Sequence, residues 1–274
     1  MGVKRLNSRC IDCLLNKHLK NIPNGLSSSQ KLEYMQGILK IVGNADVGMS
    51  VPEIVAEINE FKKAFGKIED FAEIKRFYNS CLLDLEKEIE NIIESSTGPL
   101  EDAVKYAMAG NYIDFGTMES VDEQILKETL ENANKIAISK SEFDRFKSEI
   151  NNAKSIVYLV DNCGEIVLDK LLIKQILNLN KNVKVDVIVR GEPVLNDCTI
   201  EDAVQVGLDK ISTNVKELID NADLIISKGQ GNFETLHHCE KNIYYLFLCK
   251  CEMFAQRFGV PKFTGVFIND SSLF

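Results

Sequence analysis

Apolar residues recur at helical spacing through the first 150 positions. Ile54, Ile58, Phe61 and Phe65 form one stripe, at the intervals that bring side chains to one face of a helix. Just ahead, Ser50-Val51-Pro52-Glu53 has the form of a capping box. In it the serine accepts from a free N–H of the first turn and the glutamate reaches back. A longer helix is predicted from Asp70 to Glu94, with Ile74, Phe77, Cys81, Leu82, Leu85 and Ile89 on its apolar side and Gly98-Pro99 as the break. Another runs from Pro99 to Ala109 and is stopped by Gly110. Segments 122–136 and 141–150 keep the same period. These stripes read as core packing.

The pattern changes near Asn152. Ser155 to Val160 is apolar without alternation, as in a strand covered on both faces. Glu165 to Leu177 and Asp202 to Val206 are helical in pattern. Val183–Val189, Asp223–Ser227, Ile243–Leu248 and Phe263–Ile268 read as further strands. Strand and helix alternate, which predicts an α/β fold, a three-layer α/β/α arrangement around a mostly parallel sheet. A helical domain over 1–151 precedes this α/β/α domain over 152–274.

Composition narrows the function classes. The chain has 274 residues, ample for a large core, and a formal charge of −9. An acidic chain lacks the electrostatic footprint of a nucleic-acid binder. No apolar run approaches the roughly 18 residues a membrane span needs, and Met1 to Lys20 lacks the apolar core of a signal peptide. The expected location is the cytoplasm, where the eight cysteines would be mostly reduced thiols.

In open α/β sheets, ligands bind beyond the carboxyl ends of the strands. The first strand is followed by Asp161-Asn162-Cys163-Gly164-Glu165, the second by Arg190 through Asp197, and the third by Lys228-Gly229-Gln230-Gly231-Asn232. Asp161, Asn162 and Asp197 offer hard oxygen ligands of the kind that suit Mg²⁺ or Mn²⁺. Lys228 supplies positive charge, and Gly229 and Gly231 would let backbone N–H groups approach an anion. Together these parts can hold a phosphoryl group. Each also has a plainer reading, as a helix cap or a turn. The glycine segment is neither a dinucleotide nor a Walker fingerprint.

The motifs D-N-C-G-E at 161–165, R-G-E-P-V-L-N-D-C-T-I-E-D-A at 190–203 and K-G-Q-G-N-F-E-T-L at 228–236 resemble the metal-dependent damage-control phosphatases, the family also known as domain of unknown function 89. A-M-A-G-N-Y-I-D-F-G at 107–116 and Cys10-x-x-Cys13 match as well, the latter resembling the compact prokaryotic branch. The resemblance implies a helical part followed by an α/β/α part. It also implies hydrolysis of small phosphate esters, such as sugar phosphates or phosphopantetheine and its oxidised forms, supported by Mn²⁺, Co²⁺, Ni²⁺ or Mg²⁺. It places metal ligands at Asp161, Asn162 and Asp197 and phosphate contact at Lys228. The match at Asn111 and Asp114 implies that the helical part reaches into the site.

Glu165 can orient a water or cap its own helix. Arg190 can contact phosphate or pair with Asp161. Asn232 can hold the glycine turn or touch substrate, and Cys163 is expected to pack. Cys10 and Cys13 supply at most two of the four ligands of a zinc site. Position 163 is not aspartate, so the D-x-D pattern of a nucleophilic aspartate is missing, and water is the expected nucleophile. Two other readings stand beside the phosphatase. One is a non-catalytic metal- or nucleotide-binding protein, which turnover would exclude. The other is a methyltransferase-like enzyme, disfavoured by the single glycine after the first strand.

Overall fold

A computed structural model describes residues 6–66, 71–114 and 121–273. The first helix, α1 (Ser8–Lys20), starts where Asn7 Oδ1 accepts from the N–H groups of Arg9 and Cys10 at 2.8 and 3.2 Å. Helix α2 covers Ser28–Asn44 and α3 covers Val51–Lys62. The capping box at Ser50 is formed, with Glu53 Oε2 accepting from Ser50 N at 2.6 Å and from Ser50 Oγ at 2.8 Å. Leu14, Tyr34, Ile38, Val42, Ile54 and Ile58 make the core of these helices, with Phe61 and Phe65 packed against it. Cys10, Leu14 and His18 face inward at intervals of four, while Cys13 is exposed. The two cysteines therefore do not share an environment. These helices and Glu234–His238 form one compact unit.

The second unit comprises Phe71–Phe233 and Cys239–Phe274. It opens with α4 (Ala72–Ser95), α5 (Pro99–Gly110), α6 (Glu123–Glu131) and α7 (Lys140–Asn152). Asp70, the expected start of the long helix, lies outside the described residues, as do Phe115 and Gly116 of the 107–116 motif. Within α4 the buried face differs from the apolar stripe. Lys75, Tyr78, Asn79, Leu82, Ile89 and Ile93 are buried, whereas Phe77 is 50% exposed. Ion pairing explains the rotation: Lys75 Nζ lies 2.5 Å from Asp202 Oδ2, and Asn79 Nδ2 donates to Gln205 at 2.9 Å. Lys75 and Asn79, both bonded to the buried Asp202, occupy positions that hydrophobicity assigns to solvent.

The strands are β1 (Ser155–Leu159), β2 (Lys184–Ile188), β3 (Ile211–Ser212), β4 (Leu224–Lys228), β5 (Ile243–Leu248) and β6 (Gly265–Asn269). They form a sheet in the order β3-β2-β1-β4-β5-β6. The first five run parallel, and β6 is antiparallel to β5. Connecting helices are α8 (Glu165–Leu179), α9 (Ile200–Gln205), α10 (Val215–Asn221), α11 (Gln230–Leu236) and α12 (Glu252–Phe258). The two-residue β3 was not anticipated, because so short an element carries no periodicity. The last strand starts at Gly265, and Phe263 belongs to the turn before it.

Helix gives way to strand after Asn152, but compactness divides the chain before Phe71. The reason is a shared core. Leu82, Ala107, Phe146, Tyr158 and Ile226 belong to one buried cluster that spans the later helices and the sheet. The packing of α5 on α8 leaves no room for a side chain at Gly110, where a Cβ would lie 2.7 Å from Leu168. Among the described residues no helix is long and apolar enough to cross a membrane.

Candidate active site

Strand order reverses between β1 and β4. Crossovers leave these neighbours in opposite directions and open a crevice at their carboxyl ends. All three nominated turns lie there. Backbone pairing welds the first two together. Cys198 N donates to Asp161 O at 2.8 Å and Cys163 N to Asn196 O at 2.9 Å, with Asn162 and Asp197 bridged between them. Asp197 is thus held directly across from Asn162. From outside, Asn79 Oδ1 accepts from Gly164 N at 2.6 Å, fixing the turn that enters α8.

Asp161 is buried, and its Oδ2 accepts from Asn162 Nδ2 at 2.8 Å and Asn111 Nδ2 at 3.2 Å. Asn111 also donates to both Glu165 oxygens and accepts from Leu248 N at 3.0 Å. Burial pushes the Asp161 carboxyl well above the usual range, reinforced by Glu165, Asp197 and Asp114 and opposed by Lys250. Asp197 Oδ2 accepts from Arg190 Nε at 2.7 Å. Burial raises the Asp197 carboxyl too, against the pull of Arg190. Arg190 therefore pairs with Asp197 and not with Asp161.

Gly229 has a different task from the expected anion nest. Its N–H donates to Leu246 O at 3.1 Å, so it is already spent. Its φ is +79°, and a Cβ there would fall 2.0 Å from Asp161 Oδ2. The glycine clears room for the carboxylate. Gly231 lies within α11, half-buried. Asn232 anchors this turn, donating to Lys228 O at 2.9 Å and Val160 O at 3.2 Å.

Lys228 differs most from the expectation of phosphate contact. Its ammonium is fully buried and donates to Ala107 O at 2.8 Å, to Asp169 Oδ1 at 2.7 Å and to Glu165 Oε1. An ammonium has three N–H donors, and all are engaged. Burial works against its charge, but Asp169 and Glu165 outweigh that and hold Lys228 above the usual lysine range. It is the counter-ion that lets Glu165 sit buried beside Asp161. Glu165, in turn, accepts from Asn162 Nδ2 at 3.1 Å.

Several residues that complete the site escaped the sequence reading. Asp169 also accepts from Tyr158 OH at 2.8 Å, and burial pushes its carboxyl up to about 7. Its one signal was an aspartate inside the apolar run Ile166–Ile173, four residues after Glu165. Lys250, two residues past β5, has a buried side chain and pairs with Asp114 Oδ2 at 2.6 Å. That is the only partner of its ammonium among the described residues, which leaves two donors. Asp114 thus reaches the site edge through Lys250. Cys163 is buried, and burial pushes its thiol up to about 12, which disfavours the thiolate.

One oxygen on each of Asp161, Asn162 and Asp197 accepts no hydrogen bond among the described residues. Among those residues no group of three His, Cys, Asp or Glu side chains is arranged for a metal ion. A metal at this place would therefore need the Asn162 amide oxygen beside the two carboxylates. Two carboxylates with raised proton affinity and one amide form an all-oxygen set that fits a hard divalent cation.

A sequence model of the damage-control phosphatase ARMT1-like domain matches residues 6–215 and 203–266. The chain belongs to the damage-control phosphatase family. It is 33% identical to a damage-control phosphatase of Archaeoglobus fulgidus over 70% of this chain and 73% of that one. A damage-control phosphatase of Pyrococcus horikoshii, PH1575, is 28% identical over 94% of this chain and 96% of its own. The crystal structure of that Pyrococcus protein, titled a DUF89 family protein, superposes with a TM-score of 0.74, covering 97% of this chain and 99% of the other. Membership in this phosphatase family accords with the α/β architecture and with a crevice at the strand ends.

Proposed function

We propose that the chain is a divalent-metal-dependent phosphomonoesterase acting on small phosphometabolites, with sugar phosphates and phosphopantetheine-like compounds as the implied class. The observation that carries this reading is the set of oxygens on Asp161, Asn162 and Asp197 that have no partner among the described residues. Bound Mg²⁺, Mn²⁺, Co²⁺ or Ni²⁺ would supply Lewis-acid polarisation of the phosphoryl group. The chain's own residues provide rigidity and charge balance. Asn111 and Asn162 fix the Asp161 carboxylate, and Arg190 fixes Asp197. Lys228 neutralises Glu165 from within the core. Lys250 has two donors for phosphoryl oxygens, and such fixed donors stabilise charge that develops in the transition state. Asp161 is clamped from two sides and pressed against Gly229, so water is the nucleophile in this reading.

Metal-stripped protein tested on p-nitrophenyl phosphate with each of the four ions should release phosphate in a metal-dependent way. Asp161→Ala and Asp197→Ala should abolish release while circular dichroism stays native. Failure of the wild type with all four ions, or near-wild-type rates in both variants, would overturn the assignment.

A further inference from the structure

Phe263 sits in the turn Pro261–Thr264, closed by Thr264 N donating to Pro261 O at 3.3 Å. Its φ is +63°. That is the third position of a turn that needs positive φ, where glycine is the usual occupant. A bulky aromatic there is a conformational outlier, and such outliers gather at functional sites. The ring is also 47% exposed, against the usual burial of phenylalanine.

Its surroundings tie this ring to the crevice. Phe263 N donates to Cys249 O at 2.7 Å, and Cys249 immediately precedes Lys250. On the other side, the Tyr112 ring lies 5.9 Å away, tilted at 54°. Tyr112 follows Asn111, which binds Asp161, and precedes Asp114, which binds Lys250. The Lys262 ammonium stands 5.9 Å from the Phe263 centroid, adding positive charge beside it. The backbone of a strained residue with a half-open aromatic ring is thus pinned one residue from Lys250, whose ammonium has two donors without partners among the described residues.

We propose that Phe263 is the platform on which the leaving group of the ester stacks, so the site favours phosphate esters whose leaving group carries a planar aromatic ring. The proposal rests on the phosphomonoesterase reading and extends its substrate class to aromatic phosphate esters. Lys250 would hold the phosphoryl oxygens while the ring of the leaving group lies against Phe263. The local backbone strain persists because glycine, which would relieve it, offers no surface.

Binding of phenylphosphonate and methylphosphonate, measured by calorimetry with Mn²⁺ present, tests this without turnover. The wild type should bind the phenyl compound about tenfold more tightly, a difference of about 1.4 kcal/mol. Phe263→Ala should shrink that gap to about twofold or less, leaving methylphosphonate affinity unchanged, and Phe263→Tyr should keep the gap. Phe263→Gly should lose the gap while melting higher than Phe263→Ala, which separates recognition from stability. A gap that survives in both Ala and Gly variants, or none in the wild type, overturns the platform alone. Binding of neither phosphonate by the wild type overturns the phosphate-site reading, and the platform with it.

Discussion

Gly229→Ala gives the sharpest test of the geometry around Asp161. Two separate costs arise at this position. The first is conformational, since φ is +79° and an L-residue in the left-handed region loses about 1–2 kcal/mol. The second is steric, because the new Cβ would stand 2.0 Å from Asp161 Oδ2 and 2.3 Å from its Cγ. Restoring ordinary contact requires the carboxylate to retreat by more than about 1 Å, and displacement of about 1 Å can already cost about 100-fold in rate. Gly259→Ala separates the costs: φ there is +64°, with nothing within 4 Å of a Cβ. Gly259→Ala should therefore lower the melting temperature by about 2–4 °C per kcal/mol lost and leave kcat/KM unchanged. Gly229→Ala should pair a loss of stability with about 100-fold lower metal-dependent kcat/KM. If its kcat/KM stays within about twofold of Gly259→Ala, the argument that Gly229 makes room for a working Asp161 is refuted.

Other perturbations probe other parts of the molecule. Lys228→Met leaves Glu165 and Asp169 buried without their counter-ion and should destabilise by about 3–5 kcal/mol, read from the urea midpoint; adding Asp169→Asn should recover part of the loss. Asn79→Ala frees the Gly164 N–H and should weaken Mn²⁺ binding about tenfold in calorimetric titration, with helix content unchanged. Burial, aided by Lys62 and Lys17, lowers His18 from 6.5 to about 4, so between those values the unfolded chain binds more protons. Stability should then fall as pH drops from about 6.5 to about 4, and His18→Gln should flatten that slope in pH-dependent denaturation.

The three turns of the crevice could be read from sequence because strand ends are marked by a switch from apolar runs to Asp, Asn, Gly and Lys. What those residues touch could not. Lys228 was picked out as a cation, yet its direction into the core depends on Glu165 and Asp169, which a helical repeat brings to one face of α8. The pairing of Arg190 with Asp197 is invisible in the sequence, because the backbone bridge joining residues 162 and 197 is long-range. The buried side of α4 was misjudged since Lys75 and Asn79 are polar by type and buried by partnership. Phe263 looked like the first residue of a strand. Only the turn that precedes Gly265 shows its backbone conformation.

The buried cluster of Lys228, Glu165 and Asp169 also bears on how such a chain can diverge. Loss of Lys228 strands two carboxylates in the core, a burden comparable with much of a domain's net stability, and loss of either carboxylate leaves a buried ammonium donor without its acceptor. Single-step replacement is therefore a poor evolutionary route. In distant descendants the trio should be inherited as a block or exchanged together for apolar side chains of similar volume, with mixed combinations selected against.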